Sequence, residues 1–485
     1  MRLKQKIMRN LTKIIAVIFI ISSAACTKSK IADSGAPSNA SNETSNTTTS
    51  AVGITAVGNT YYINSTNGSD TNSGTSDTAP WQTISRIQNT VLSPGDIVRF
   101  KRGSSYTVPF FVNYSGTLGS EITITDYGNA ADPAPKFTNP VFAQDNFGNC
   151  IRINGDYVIV ENLYFHNTTA FVNGSYTSDG GWIVWEMGAV HIARGSDNCT
   201  VRNNEFFDCV AGIRSNGKYA LISYNYIHDC NRALKGDPTW NWGPLGIWLG
   251  ADFQTVSNNT IINMQVTDPD PTHFYNGVGG GAFEIDDGRY NKYNITLTHN
   301  FTRGNCGFLE TVFDDVVANP IYKDWKIKFN VSDDYQAFVK LRFAQNCNVD
   351  NNTILRRKIN ANELGVFLLK GNATGNSFRN NIIMTKYDVK VFNIVGGGTP
   401  GSFIKNNHYY AVGNLVMGGE GPGVVPTYCD VKFVNIAGTN ATDFSILSTS
   451  PAKNTGRDLG YLFDHVGYPI PYGAYPDRGA FEYHP

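Results

Sequence analysis

Three short stretches between residues 283 and 342 set ionisable side chains in a recurring pattern. They read Phe283-Glu284-Ile285-Asp286, Phe308-Leu309-Glu310-Thr311 and Phe338-Val339-Lys340-Leu341-Arg342, and Leu368-Leu369-Lys370 follows in the same style. Apolar and polar residues alternate, as in a strand with one buried face, so the charged side chains share the other face. Two carboxylates held close together repel, which raises one pKa and makes that group a usable acid. Paired carboxyl groups of this kind cut glycosidic bonds, one as proton donor and the other as base or nucleophile. Glu284, Asp286 and Glu310 are the candidate catalytic carboxylates, and Lys340 and Arg342 the candidate catalytic bases. The same oxygens offer a second chemistry, because Glu284 and Asp286, with Glu310 or Asp287, suit a Ca2+ ion. A third explanation needs no function: stacked Glu–Lys pairs keep a sheet surface soluble and contribute about 0.2–1 kcal/mol each.

Such residues act together only if the chain brings them to one surface, and an internal repeat does this. After Val160-Glu161-Asn162, an Asn closes each unit at Asn204, Asn225, Asn259, Asn300, Asn330, Asn352, Asn381 and Asn407. It recurs after 21 residues from Asn204 to Asn225, 22 from Asn330 to Asn352 and 26 from Asn381 to Asn407, and steps of 34 and 41 imply inserted loops. Short β-like runs at this period, with Asn at one turn, are the signature of a parallel β-helix. Asn tolerates the left-handed backbone of a sharp bend, and stacked amides can bond along the solenoid. Propeller blades of about forty residues and leucine-rich repeats fit less well.

Counting back a dozen residues from Asn204, Asn225 and Asn259 reaches Ile192, Ile213 and Ile247, which point inward. Their neighbours His191, Arg214 and Trp248 then face outward, in line with the acidic and basic residues and Lys370. Coils lie about 4.8 Å apart, so residues one or two coils apart are within about 5–10 Å, the working range of a glycosidase pair. Three insertions enter near the same coils: 170–188 with Trp182 and Trp185, 235–245 with Trp240 and Trp242, and 266–281 with His273, Phe274 and Tyr275. Long loops on a rigid scaffold carry function, and flat aromatics stack on sugar faces; the plainer role of these Trp residues is to pack the loops down. The candidate substrate-binding residues are His191, Arg214, Trp240, Trp242, Trp248, His273, Tyr275 and Lys370.

Both ends carry recognisable segments. Trp81, Ile84 and Ile87 fall on one face of a short helix that could plug the first coil. Tyr61-Tyr62-Ile63-Asn64, Asn67-Gly68-Ser69-Asp70, Pro80-Trp81-Gln82-Thr83-Ile84 and the run from Pro94 to Gly103 resemble the opening of secreted right-handed β-helix proteins of the pectate-lyase-like superfamily. Pro476-Asp477-Arg478-Gly479-Ala480-Phe481-Glu482-Tyr483 is similar to their closing segment. The resemblance covers residues 60–485 and implies an all-β fold: a right-handed parallel β-helix with a short N-terminal capping helix and inserted loops. It does not select a chemistry, because the superfamily includes lyases, hydrolases, epimerases and non-catalytic proteins. For a lyase, the resemblance implies a cation that neutralises a uronate and a Lys340 or Arg342 that abstracts its C5 proton. Glu284-Ile285-Asp286 followed by Gly307-Phe308-Leu309 resembles the Glu-x-Glu and Gly-x-Leu run of alginate and chondroitin lyases. The basic residues of that pattern are displaced, with Lys292 a loose match for the first and no Arg near Glu310.

The chain of 485 residues carries 39 basic and 40 acidic side chains, so it has no basic field for nucleic acid. Arg2, Lys4, Lys6, Arg9 and Lys13 precede an apolar run from Ile14 to Ile21 and then Ser22-Ser23-Ala24-Ala25-Cys26. This order reads as a signal peptide over 1–25, with Cys26 in the setting of a lipobox although Ser23 replaces the usual Leu. Residues 26–58, rich in Ser, Thr and Asn, read as a disordered tether, and 59–485 as the β-helix domain. Of the seven other Cys, Cys209 and Cys230 occupy matching points of adjacent repeats and suit a disulfide or, more simply, buried stacking.

The expected protein is exported and lipid-anchored, at the outer membrane, cell surface or periplasmic side. It is monomeric, has no organic cofactor, and acts on an extended polysaccharide, with elimination favoured over hydrolysis. The alternative is a non-catalytic glycan-binding or adhesive lipoprotein.

Overall fold

The computed structural model describes residues 58–485 apart from 141–146, 169–176, 179–180, 183–185, 231–233, 238–239, 265–280, 286–289, 312–320, 359–364, 372, 388, 396–402, 412–414 and 417–426. The signal, tether and Cys26 lie outside the described residues.

Among the described residues, three long sheets wrap one core. Sheet one has 12 strands, from Thr60–Ile63 to Phe403–Lys405, sheet two has 12, from Ser105–Tyr106 to Thr427–Tyr428, and sheet three has 10, from Phe110–Val112 to Phe392–Val395. Each coil gives one strand to each sheet in turn: Thr200–Arg202, Glu205–Phe207 and Ala211–Ser215 form one coil, and Leu221–Ser223 opens the next. Strands pair in parallel from coil to coil, which makes the fold a right-handed parallel β-helix. The core is built in files. Val160, Val201, Ile222, Val256, Leu297, Ile327, Val349, Phe378 and Ile404 are register partners in sheet one, and all are buried.

Three residues after each member of that file, from Val201 on, stands the ladder Asn. Asn225 Nδ2 donates to Asn259 Oδ1 at 2.9 Å and to the Val201 carbonyl at 2.9 Å, and the pattern repeats from Asn204 to Asn407. The left-handed bend is not made by these residues. It falls one position earlier, at Asn203, Tyr224, Asn258, His299, Phe329, Asn351, Asn380 and Asn406, with φ from 51° to 59°. The single role expected for Asn is therefore two roles. The bend tolerates Tyr, His and Phe, while the ladder needs an amide that donates and accepts at once. Asn162 (φ 61°) makes the bend of its coil, and Leu163 stands at the ladder position, with its N–H on Asn204 Oδ1 at 3.0 Å.

Helix Ile84–Gln88 buries Ile84 and Ile87 at the N-terminal end. Trp81 is buried beside it but precedes the helix, bridged to Ile63. Near the other end, the C-terminal segment packs on the outer face of sheet two. There Phe433, Phe444, Ile446 and Phe481 form a second core with Phe301, Val331, Leu355, Ile382 and Met384. Cys209 and Cys230 are free, buried and stacked, with the Cys209 N–H on Cys230 Sγ at 3.3 Å.

A second ladder at the corner between sheets two and three ends on Asp334, whose carboxylate accepts from Thr302, Ser332 and the Asn305 amide. Burial pushes its carboxyl up to about 6 despite these bonds. The folded state thus holds the proton more tightly than the unfolded chain, whose Asp titrates near 3.8. That contribution is complete below the unfolded value and is lost as the pH rises through about 6. Asp334→Asn should remove this slope. Melting temperatures of the two proteins should therefore diverge in the variant's favour on going from pH 4 to pH 7, and a constant difference would show that Asp334 does not titrate in this window.

Candidate active site

Sheet three presents one continuous row on its outer face. In register across adjacent strands stand Arg152, His191, Arg214, Trp248, Glu284, Glu310, Lys340, Leu368 and Asn393. Their flanking neighbours, among them Val190, Ile213, Ile247, Phe283, Leu309 and Val339, belong to the core, so the row faces away from it. A second outer row two residues on contains Arg342 opposite Lys370.

Glu284 and Glu310 are thus direct partners on neighbouring strands, about 4.8 Å apart at Cα. Lys340 completes the trio, with Nζ 2.6 Å from Glu310 Oε2. Burial is the largest single effect on Lys340 and lowers its pKa, but the Glu310 carboxylate, by charge and hydrogen bond, together with the other groups around it outweighs burial, and the net direction is upward. Lys340 is therefore an ammonium. The Glu310 side chain is 28% exposed and opens the site to solvent, whereas Glu284 is 9% exposed. Gly281 makes room for Glu284: a Cβ built there meets Glu284 Oε1 at 3.0 Å. Cys306 lies within reach of these charges, and burial pushes its thiol up to about 12, so it is no thiolate at neutral pH.

The other half of the row is closed. His191, Arg214 and Trp248 are 0–1% exposed although they stand on the outer face. The Arg214 guanidinium lies 4.0 Å from the Trp248 ring centroid and donates from Nε to Asn216 Oδ1 at 3.0 Å. Asn216 Nδ2 lies 3.2 Å from His191 Nε2, and Glu186 reaches His191 at 3.4 Å and Arg152 at 3.6 Å. Burial first, then Arg152, Arg214 and Arg194, hold the His191 pKa well below its usual value, so the ring is neutral. His191 Nδ1 and Trp248 Nε1 have no hydrogen-bond partner among the described residues.

Arg152, Glu186 and Asn216 escaped the sequence reading. The offset used there reaches Cys150 when counted from Asn162, but Ile151, next to Arg152, when counted from the true ladder position Leu163. Register also corrects one detail: the partner of Lys340 is Leu368, so Lys370 belongs to the second row with Arg342. The Trp240–Trp242 segment pairs with Leu234–Asp237 in a two-stranded hairpin, and its side chains lie outside the description. His273, Tyr275, Asp286 and Asp287 lie outside the described residues, so of the calcium set only Glu284 and Glu310 are placed. No group of three or more His, Cys, Asp or Glu suited to a metal occurs among the described residues. Lys292, the loose lyase match, is buried on a separate small sheet with Tyr322 and donates to the Tyr290 carbonyl at 3.1 Å.

The connections from sheet two to sheet three that include residues 169–185, 231–244 and 265–282 enter at the strands of His191, Trp248 and Glu284, and residues 312–321 leave from the strand of Glu310.

No family profile matches the sequence. A lacto-N-biosidase of Bifidobacterium longum is 27% identical over 304 residues, which are 52% of this chain and 19% of that protein. The chain thus spans about a fifth of this relative's length. Among solved structures, XylC in complex with xylose superposes with a TM-score of 0.54 at 12% identity, over 87% of this chain and 98% of the other. A GH136 lacto-N-biosidase from Eubacterium ramulus covers 71% of this chain and 68% of its own, with a TM-score of 0.39 at 15% identity.

Proposed function

We propose that the protein is a glycoside hydrolase that releases a short saccharide, of the lacto-N-biose type, from the end of a glycan chain. The observation that carries this reading is the in-register trio Glu284, Glu310 and Lys340, with the Lys340 ammonium on the Glu310 carboxylate. An ammonium held in that pair has no lone pair to take a C5 proton, which counts against Lys340 as the base of an elimination. The paired Glu310 takes the anionic role, nucleophile or base. Its register partner Glu284 then takes the role of proton donor to the leaving oxygen. Adjacent-coil spacing fits the roughly 5 Å carboxyl separation of retaining enzymes better than the wider gap of inverting ones. The closed end at Arg214 and Trp248 supports attack at a chain end, because an internal cut needs a cleft open at both sides. The sequence relative supports the substrate class.

Elimination keeps one supporting observation, the basic pair Arg342 and Lys370 beside the trio. Incubation with lacto-N-biose-terminated oligosaccharides and with uronate polymers separates the two. Hydrolysis yields new reducing ends without ultraviolet absorbance, and an absorbing unsaturated product would replace this reading with a lyase.

Export and anchoring through Cys26 complete the proposal, since a polymeric glycan is met outside the cell. Cys26→Ser should move the protein from the membrane fraction to the soluble fraction or block its processing. Unchanged membrane association would remove the anchor from this account.

A further inference from the structure

A groove lies on a different face of the solenoid from the acidic pair. The outer face of sheet two changes character along the axis. From Phe301 onward it is apolar and is covered by the C-terminal segment. Before that level it is aromatic and polar. Tyr226 and His228 stack at 4.1 Å, His228 and Phe207 at 5.2 Å, and Phe207 and His166 at 5.2 Å. Tyr226 remains 39% exposed and the neighbouring bend residue Tyr224 61%. A groove of about 510 Å³ runs where the covering segment stops, between these tyrosines and residues 439–442. That size is ordinary for a small-ligand site. Its polar lining includes Asn258, Thr260, Arg303 and Thr442. Arg303 reaches across it, with Nη1 on the Thr439 carbonyl at 3.0 Å, and so fixes one wall to the other.

We propose that this groove binds a neutral pyranose unit of a glycan chain, as an anchoring site separate from the acidic pair on sheet three. Aromatic rings packed for stability alone would lie under the covering segment, as Phe301 does, yet these lie beside it in contact with water. An aromatic body edged by hydroxyl, amide and guanidinium groups matches a sugar ring, which has an apolar C–H face and a polar rim. Charge selects a neutral sugar. His228 is flanked by Glu205 at 3.3 Å and Asp229 at 2.8 Å, and both carboxylates act electrostatically on Tyr226 along with Arg303. The two acids lie beyond the lining but oppose an anion at Tyr226, burial holds His299 and His465 of the lining below the usual histidine range, and Arg303 is already engaged by the Thr439 carbonyl. The inference goes beyond the hydrolase reading and concerns binding alone.

The test is electrophoresis of the full chain through gels containing xylan, galactan or alginate, with Glu310→Gln, Tyr226→Ala and Arg303→Gln variants run beside the wild type. A neutral polymer should retard the wild type and Glu310→Gln equally, and the groove variants should lose at least about ten-fold in apparent affinity. Turnover of a small soluble substrate by the groove variants should be unchanged. Melting curves confirm that they fold, and Arg303→Gln keeps the aromatic platform if Tyr226→Ala does not. Absence of retardation in both neutral polymers overturns the proposal, as does equal retardation of all four proteins or retardation confined to alginate. A fall in sedimenting mass for Tyr226→Ala without any change in retardation would make the groove an interface between copies. If retardation is lost only in Glu310→Gln, binding belongs to the cleft. Loss of turnover in Glu310→Gln bears on the hydrolase reading and leaves the groove untouched.

Discussion

Glu310→Gln should lower kcat roughly 10²- to 10⁴-fold, with KM and melting temperature near those of the wild type. The change keeps the shape of the side chain and an oxygen for Lys340 Nζ, which lies 2.6 Å from Oε2, and removes only the charge. An anion that attacks or activates in the transition state is lost, while ground-state contacts to the sugar remain, so the effect falls on kcat and on kcat/KM together. Glu284→Gln should lose a similar factor on a natural glycan. It should recover most activity on an aryl glycoside whose leaving group needs no proton. Glu310→Gln should show no such recovery, because its defect is on the attacking side. This contrast between leaving groups assigns donor and anion separately. If Glu284→Gln and Glu310→Gln together leave turnover intact, the row on sheet three is a solubility ladder, and the protein is better read as a glycan-binding surface protein.

The architecture was legible because it depends on a repeated local choice. An apolar residue three positions before Asn, from Val201-Asn204 to Ile404-Asn407, reports one turn of the coil each time, and eight such turns fix a solenoid whatever lies between them. The alternation in Phe283-Glu284-Ile285 and Phe338-Val339-Lys340-Leu341 likewise showed which side chains face outward, since a strand has a period of two. Two features were hidden for physical reasons. The bend position accepts any side chain that can be held at positive φ, so Tyr224 and Phe329 carry no sign of it and Asn162 imitates a ladder residue. The length of the corner between sheet three and the ladder also varies. His191 stands 13 residues before Asn204 and Arg214 stands 11 before Asn225, so counting gives the face but not the coil-to-coil partner. Burial of outward residues was the least legible feature. Nothing in the residue types of His191, Arg214 and Trp248 says that they are shut off from water, because their contacts run to residues outside the row, such as Glu186 and Asn216.

Asn352→Leu should destabilise the solenoid by about 2–6 kcal/mol, the largest loss expected from a single side chain outside the core files. Asn352 is fully buried and makes four side-chain bonds. Its Nδ2 donates to the Ile327 carbonyl and to Asn381 Oδ1, each at 2.9 Å, and its Oδ1 accepts from the Asn330 backbone N–H and amide, each at 3.0 Å. Leucine has similar bulk but neither donates nor accepts. The Asn330 N–H and the Ile327 carbonyl would lose these partners in a dry interior, at about 1–3 kcal/mol each. Asn330 Nδ2 keeps its bonds to the Leu297 and Lys328 carbonyls, which limits the loss on that side. Because solenoid stability is a sum of coil and neighbour terms, breaking one rung also uncouples the coils on either side. Denaturant unfolding should then show a lower midpoint and a broader transition. Asn406→Ala is the comparison. Asn406 occupies the bend with φ 58° and its loss strains only the local backbone, at about 1–2 kcal/mol. Equal losses in the two variants would mean that the amide ladder contributes no more than the bends that accompany it.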